Sequence, residues 1–156
     1  MKLFQVKVTK KMIATSYLKR FKFFKAGEIL ARNQSEIYYR SAEVEIDSIA
    51  GVYLWITRNH NNDLGVIYAG KAGYGIHRRI NQHIAGYKRV PEKSALVASI
   101  AGKCKGAAIE VWFRTSASCQ VDLLSGEVSM YSIEEEALIK KFSPRLNRQL
   151  PPKNSI

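Results

Sequence analysis

Two runs of β-branched and aromatic residues constrain the fold of this chain more than any other feature. The first run covers residues 51–57, a polar segment covers 58–63, and a second run covers 65–69. Valine, isoleucine, tyrosine and tryptophan favour the half-buried surface of a strand, whereas Arg, Asn, His and Asp between two such runs are typical of a loop. The pattern therefore predicts a β-hairpin near the middle of the chain.

Helical spacing follows this hairpin. After a loop with Gly73 and Gly75, apolar residues recur every three or four positions and predict a helix over 76–87. The remaining predictions are a strand with imperfect alternation over 37–46, a helix over 94–101 capped by Ser94, a strand over 108–114 and a helix over 132–142. Together these elements predict an α+β fold, with a small central, mainly antiparallel sheet flanked by helices.

The excess of basic residues indicates which kind of partner the chain binds. Basic residues outnumber acidic ones by 25 to 13, giving a net charge of +12. Residues 1–25 contain no acid, and residues 71–105 form a second basic stretch opposed only by Glu92. Such blocks favour a polyanionic partner through counterion release and long-range attraction. A well-solvated surface or a basic scaffold protein would have the same composition, and charge does not separate cutting a nucleic acid from holding it.

The sequence disfavours a membrane or secreted protein, and also a protein held together by zinc or disulfides. No run approaches the roughly 18 apolar residues that span a bilayer, and Lys7, Lys10 and Lys11 interrupt any apolar signal segment. Cys104 and Cys119 lack the spacing of a zinc site, and two cysteines make a poor disulfide framework. We therefore expect a cytoplasmic protein without membrane association.

One face of the predicted helix 76–87 combines apolar and ionisable residues. Arg79 and His83 share the stripe of its isoleucines, while Arg78 points elsewhere. An inward cation is costly unless a partner or a substrate meets it. In the last helix, Glu135 aligns with the apolar stripe of that helix. Glu135 could pair with Arg79 as a structural salt bridge, or it could be an active-site carboxylate that holds a divalent metal.

These residues resemble a known family. Gly-Val-Tyr at 51–53 and Tyr-Ala-Gly at 68–70, joined by a short hairpin, resemble the signature of GIY-YIG nucleases. Arg79 and His83 match the family's next positions if the loop after residue 70 is one residue longer; without that insertion Arg78 matches by count. Glu135 and Asn147 match the distal pair of restriction-type members. The resemblance covers roughly residues 50–149.

The resemblance implies an Mg²⁺-dependent DNA endonuclease of phage or restriction type, leaving 5′-phosphate and 3′-OH ends, with Mn²⁺ as a substitute metal. It implies that Tyr53 takes a proton from the attacking water. A phenol with a pKa of about 10 is a poor base, so nearby positive charge must favour phenolate. The other implied roles are phosphate binding by Arg79, water orientation by Tyr68, proton relay by His83, Mg²⁺ binding by Glu135 and bracing by Asn147.

Residues 93–96 and the strand after them also resemble the branch that contains the endonucleases II of T-even phages, which adds Lys93 as a phosphate contact. Further candidate DNA-binding residues are Lys71, Arg78, Lys19 and Arg20. We expect a basic N-terminal extension (1–48) that contacts DNA and could mediate oligomerisation, a catalytic domain (49–149) and a loose tail (150–156).

The predicted partner is double-stranded DNA, and cutting both strands would need a homo-oligomer or two successive visits. Other interpretations stay open. The chain could be a non-catalytic basic nucleic-acid-binding module, or an incision module inside a repair complex. Tyr53, Tyr68 and His83 could be core residues, Asn147 a turn residue and Lys93 a solvated lysine.

Overall fold

A six-stranded antiparallel sheet organises the chain in the computed structural model, which describes residues 12–42, 49–121, 123 and 126–148. The strand order is β1-β5-β4-β6-β2-β3, so the predicted hairpin β4–β5 lies inside the sheet. The six strands are β1 (Met12–Ile13), β2 (Phe24–Ala31), β3 (Ile37–Ser41), β4 (Gly51–Arg58), β5 (Leu64–Ala72) and β6 (Ala108–Thr115).

Helices cover both faces of this sheet. The five helices are α1 (Thr15–Arg20), α2 (Ile76–Lys88), α3 (Pro91–Gly102), α4 (Tyr131–Phe142) and α5 (Arg145–Arg148), with a short 3₁₀ turn over Lys105–Ala107. A separate two-stranded hairpin, β7 (Ser118–Val121) and β8 (Gly126–Ser129), precedes α4. None of the described helices is long and apolar enough to cross a membrane.

Strand β4 divides the core into two clusters. Side chains alternate across a strand, so Tyr53 and Trp55 pack with α2 and α3, while Val52 and Leu54 pack with α1 and α4. Because helices cover both faces, all residues from 51 to 57 are buried. The unbroken apolar run in the sequence is the consequence of this two-sided burial.

The predicted α+β architecture is confirmed, with differences at the boundaries of several elements. Helix α3 begins at Pro91, whose fixed φ suits the first helical position; the prediction of Ser94 as its cap was wrong, because Ser94 is buried inside the helix. Helix α4 begins one residue earlier than predicted. The strand predicted over 37–46 ends at 41, and residues 43–48 lie outside the described ones.

Three strands of the predicted N-terminal extension belong to the sheet. Strand β1 pairs with β5, and β2 pairs with both β3 and β6. Residues 1–11, which hold half of the first basic block, lie outside the described residues. Helix α1 carries Lys19 and Arg20 on its exposed side.

Gly51 and Gly70 are required by close packing rather than by their backbone angles. A Cβ atom at Gly51 would come within 2.5 Å of the Phe113 ring and still closer to the backbone oxygen of Arg114. A Cβ atom at Gly70 would lie 2.5 Å from the hydroxyl oxygen of Tyr53. Each glycine therefore leaves space for a neighbouring aromatic ring or strand.

We expect Gly51→Ala to lower the free energy of unfolding by roughly 1–3 kcal/mol, the usual cost of overpacking a core. Gly86→Ala is the matched control, because nothing lies within 4 Å of a Cβ there. In the helix interior it should instead raise the free energy of unfolding by about 0.5–1 kcal/mol. Urea unfolding of both variants measures the difference, and equal stabilities would contradict the packing argument.

Candidate active site

Two tyrosine hydroxyls from adjacent strands meet one imidazole. The hydroxyl of Tyr53 lies 2.8 Å from Nε2 of His83, and that of Tyr68 lies 3.4 Å from the same nitrogen. In the register of β4 and β5, Tyr53 is opposite Gly70, and Tyr68 is opposite Trp55. The two tyrosines are therefore diagonal neighbours on one face, with ring centroids 6.0 Å apart.

His83 reaches this position because of the apolar face of α2. Ile76, Ile80 and Ile84 are buried against the sheet, and His83 lies one turn after Ile80 on the same side. Its half-buried ring contacts the rings of Trp55, Tyr68 and Tyr87. The sequence pattern placed Tyr87 on this stripe but did not identify it, or Trp55, as part of the site.

Burial keeps the imidazole neutral. Desolvation, with a contribution from the positive charge of Arg79, lowers the pKa of His83 to about 4. A neutral ring has one donor and one acceptor nitrogen. With Nε2 accepting the hydrogen bond from the hydroxyl of Tyr53, the ring proton belongs on Nδ1.

Burial also keeps Tyr53 protonated. Desolvation, reinforced by Tyr68, raises the pKa of Tyr53 well above its ordinary value, although the charge of Arg79 and its hydrogen bonding oppose the rise. Arg79 acts in the expected direction, because its positive charge favours phenolate, but the desolvation of the Tyr53 hydroxyl outweighs it. Charge could be counted in the sequence, whereas the complete burial of Tyr53 depends on how α2 and α3 pack on its face of the sheet.

Arg79 lies at the rim of the site. Its charge acts on the pKa of Tyr53, Tyr68 and His83, yet the side chain is exposed, so the expectation of an inward-facing cation was only partly right. The residue as a whole is exposed, whereas its guanidinium is close enough to Tyr53 for its hydrogen bonding to affect that hydroxyl. Arg78 is exposed too, and no effect of its charge on these three groups is resolved among the described residues.

Glu135 approaches the site from α4. Its carboxylate is 3.4 Å from Nζ of Lys71, so the ion pair of Glu135 is formed with Lys71 rather than with Arg79 as the structural alternative supposed. Lys71 also donates a hydrogen bond to Ser132 at 3.1 Å. The charge of Glu135 contributes to raising the pKa of Tyr68, which locates the carboxylate beside the tyrosine pair.

Asn147 braces β5 from the side. Its side-chain oxygen accepts from the backbone N–H of Ala69 at 2.9 Å, and its amide nitrogen donates to the Ala69 carbonyl at 2.8 Å. Among the described residues, strand β1 pairs with residues 64 and 65 of β5, and Ala69 lies further along the same strand. Asn147 thus pairs with both backbone groups of Ala69 and holds the strand next to Tyr68.

Glu135 is the carboxylate beside the tyrosine pair that could hold a divalent metal. Among the described residues no three His, Cys, Asp or Glu side chains are grouped to hold a metal. Glu134, next to Glu135, is bound to Arg114 and Ser116. Mg²⁺ commonly takes one or two carboxylates and completes its shell with water and substrate phosphate, and Glu135 is such a carboxylate.

Three of the candidate DNA-binding residues, Lys71, Arg78 and Lys93, border the site. Lys71 and Arg78 line a hollow of about 400 Å³ together with Arg79. Lys93 lines an adjoining hollow of about 250 Å³ with Arg79 and His83. The two hollows share Arg79 and Gln82, so together they form a basic groove along α2. Arg20 lines a separate hollow with Arg114, and Lys19 is on α1, which packs on the opposite face of the sheet.

Comparison with known proteins identifies the fold. No protein-family model matches the sequence, and no curated protein sequence does. A solved mutant of endonuclease II (EndoII) from bacteriophage T4 is 22% identical over 85% of this chain and 95% of its own, with a TM-score of 0.60. The restriction endonuclease HPY188I in complex with product DNA is 13% identical over 94% of this chain and 88% of its own, with a TM-score of 0.50. The chain thus shares the architecture of these two nucleases.

The lowered pKa of His83 predicts a pH dependence of stability. Its folded value is about 4 against an ordinary 6.5, so the unfolded chain binds more protons between these values. The free energy of unfolding should therefore fall as the pH drops from 6.5 to 4, by at most about 1.4 kcal/mol per pH unit from this residue. Urea unfolding of wild type and His83→Gln over this range measures the effect. Parallel pH profiles of the two proteins would contradict it.

Proposed function

We propose that this chain is an Mg²⁺-dependent DNA endonuclease of the GIY-YIG type, which hydrolyses phosphodiester bonds to leave 5′-phosphate and 3′-OH ends. The observation that carries the proposal is the convergence of Tyr53 and Tyr68 on the neutral imidazole of His83. Arg79 at the rim and the carboxylate of Glu135 beside Tyr68 are the other two groups of the site. This is the arrangement that phosphodiester hydrolysis requires: a proton acceptor, a cation for the phosphate and a carboxylate for a metal.

Proton transfer would run from water through Tyr53 to His83. A phenol with a raised pKa is a poor base alone, but its proton already lies on a hydrogen bond to Nε2 of His83. As water gives its proton to the oxygen of Tyr53, that oxygen gives its own to the imidazole. Tyr53 then begins and ends neutral, and His83 becomes imidazolium. The hydroxide forms a bond to phosphorus as the bond to the 3′ oxygen breaks, and that oxygen takes up a proton from solvent to become the 3′-OH.

Arg79 would bind the phosphate that is cut. The residue is exposed at the rim of the site, and a guanidinium can contact two phosphate oxygens at once. A bound phosphate would also cancel part of the positive field that lowers the pKa of His83. Substrate binding would therefore make His83 a better proton acceptor at the moment when one is needed.

Glu135 would hold the metal. When bound there, Mg²⁺ supplies positive charge for the phosphate and the departing 3′ oxygen. Lys71, now ion-paired with Glu135, would then be available for a neighbouring phosphate. Mn²⁺, which takes the same oxygen ligands, should substitute.

Double-stranded DNA is the proposed substrate. The basic groove along α2 suits the DNA backbone, and the fold is shared with HPY188I, whose structure contains product DNA. One such site cuts one strand, so double-strand cleavage would take a homo-oligomer or two visits. The same architecture in the phage T4 endonuclease II supports a role in phage or restriction biology.

The first test is nicking of supercoiled plasmid with and without Mg²⁺. We expect wild type to cut only with a divalent metal, and Glu135→Ala to cut at least about 100-fold more slowly because a transition-state charge loses its partner. Glu136→Ala is the matched control, since Glu136 is the next residue of α4 and is exposed; it should cut as wild type does. Tight plasmid binding by wild type without cutting, under Mg²⁺ or Mn²⁺, would favour the non-catalytic binding module.

A second test separates the two arginines. Arg79→Ala should lower the cleavage rate by about 100-fold or more, since it removes a cation that acts on the transition state. Arg78→Ala should leave the rate at saturating DNA unchanged and weaken binding, with a salt dependence reduced by about one charge. Single-turnover rates and binding at several salt concentrations provide both readouts. The reverse pattern would make Arg78 the catalytic arginine, as the residue count without a loop insertion suggests.

A further inference from the structure

One aromatic side chain beside the basic groove is not used by the proposed chemistry. Tyr74, in the loop between β5 and α2, is 70% exposed. All eight tyrosines lie within the described residues, and the other seven are buried or half-buried. An exposed aromatic ring forgoes the burial that normally stabilises such a side chain, so the ring is available to a partner.

The loop holds this ring at the groove. Tyr74 is flanked by Gly73 and Gly75, and Gly75 has a φ of 88°, which side-chain-bearing residues rarely adopt. On the side of α4 the loop rests on Tyr131, whose hydroxyl oxygen would lie 3.5 Å from a Cβ at Gly73. The base of the loop is thus packed while its tip carries Tyr74 into solvent.

The surroundings of Tyr74 combine a flat apolar ring with cations. It lines the same hollow as Lys71, Arg78 and Arg79, and Arg79 acts on the tyrosine pair of the site. Cations contact the phosphates of a nucleic acid, whereas an aromatic ring contacts the face of a base. A strand whose phosphate binds Arg79 would bring the neighbouring base towards Tyr74.

We infer that Tyr74 is a DNA-positioning residue, which stacks on a base next to the cleaved phosphate and separates that base from its neighbour. The inference rests on the proposed function for the position of the phosphate. Unstacking a base step bends the duplex and widens access to its backbone, and side chains that wedge into a step act in this way. Stacking on a ring tolerates any base, so Tyr74 would position DNA without selecting its sequence.

The test is binding without cleavage, in EDTA, to a mixed-sequence duplex in which 2-aminopurine replaces several adenines. The fluorescence of 2-aminopurine rises when its stacking is lost, so the rise reports the neighbouring base that is left without a partner, while the other base stacks on Tyr74. Wild type and Tyr74→Phe, which keeps the ring, should raise the fluorescence, and Tyr74→Ala should not. Tyr74→Ala should also weaken binding by roughly 5- to 150-fold, the range given by the loss of one stacked base.

Ile133→Ala is the matched control, because Ile133 is 60% exposed and does not line the hollow; it should bind and unstack DNA as wild type does. Thermal unfolding should be unchanged in all three variants, since neither side chain is buried.

A fluorescence rise with Tyr74→Ala equal to that of wild type would overturn the inference, as would a Tyr74→Phe that behaves like Tyr74→Ala. Failure of wild type to bind DNA would overturn both the inference and the proposed function. Ring-dependent unstacking by a protein that never cuts with Mg²⁺ would leave the inference standing and overturn the proposed function alone.

Discussion

The hydrogen bond between the Tyr53 hydroxyl and Nε2 of His83, 2.8 Å long, is the interaction on which the rest of the site depends. It joins the central strand β4 to helix α2, and each partner is positioned by a feature of the core. Gly70, opposite Tyr53 on β5, leaves room for its ring, since a Cβ there would lie 2.5 Å from the hydroxyl. The buried isoleucines of α2 hold His83 against the sheet.

Burial decides the protonation of this pair. It raises the pKa of Tyr53 and lowers that of His83 to about 4, so both groups are neutral near pH 7. A neutral phenol beside a neutral imidazole stores no charge in the core and avoids the cost of burying one. The pair can still move a proton once Arg79 meets an anion, because the field that disfavours imidazolium is then reduced.

Local spacing predicted the hairpin, α2 and the face that His83 shares with three isoleucines, because these depend on residues close together in the chain. Local spacing alone did not predict which distant segments meet, and the one distant pair that it offered, Glu135 with Arg79, is not the ion pair that forms. Glu135 pairs with Lys71, which is far away in the sequence, because α4 packs on β5. Helical spacing also predicted the side of α2 on which Arg79 lies, but it did not predict that the residue is exposed. The enclosure of His83 by Trp55 and Tyr87 follows from packing of α2 on the sheet.

A double-mutant cycle tests most directly whether Tyr53 and His83 act on one proton path. It compares the single-turnover cleavage rates of wild type, Tyr53→Phe, His83→Gln and the double variant. If water, Tyr53 and His83 form one proton path, removing either residue breaks the whole path. The double variant should then cut no more slowly than the slower single variant. Rate losses that multiply in the double variant would show that the two residues act independently, which would contradict the shared proton path.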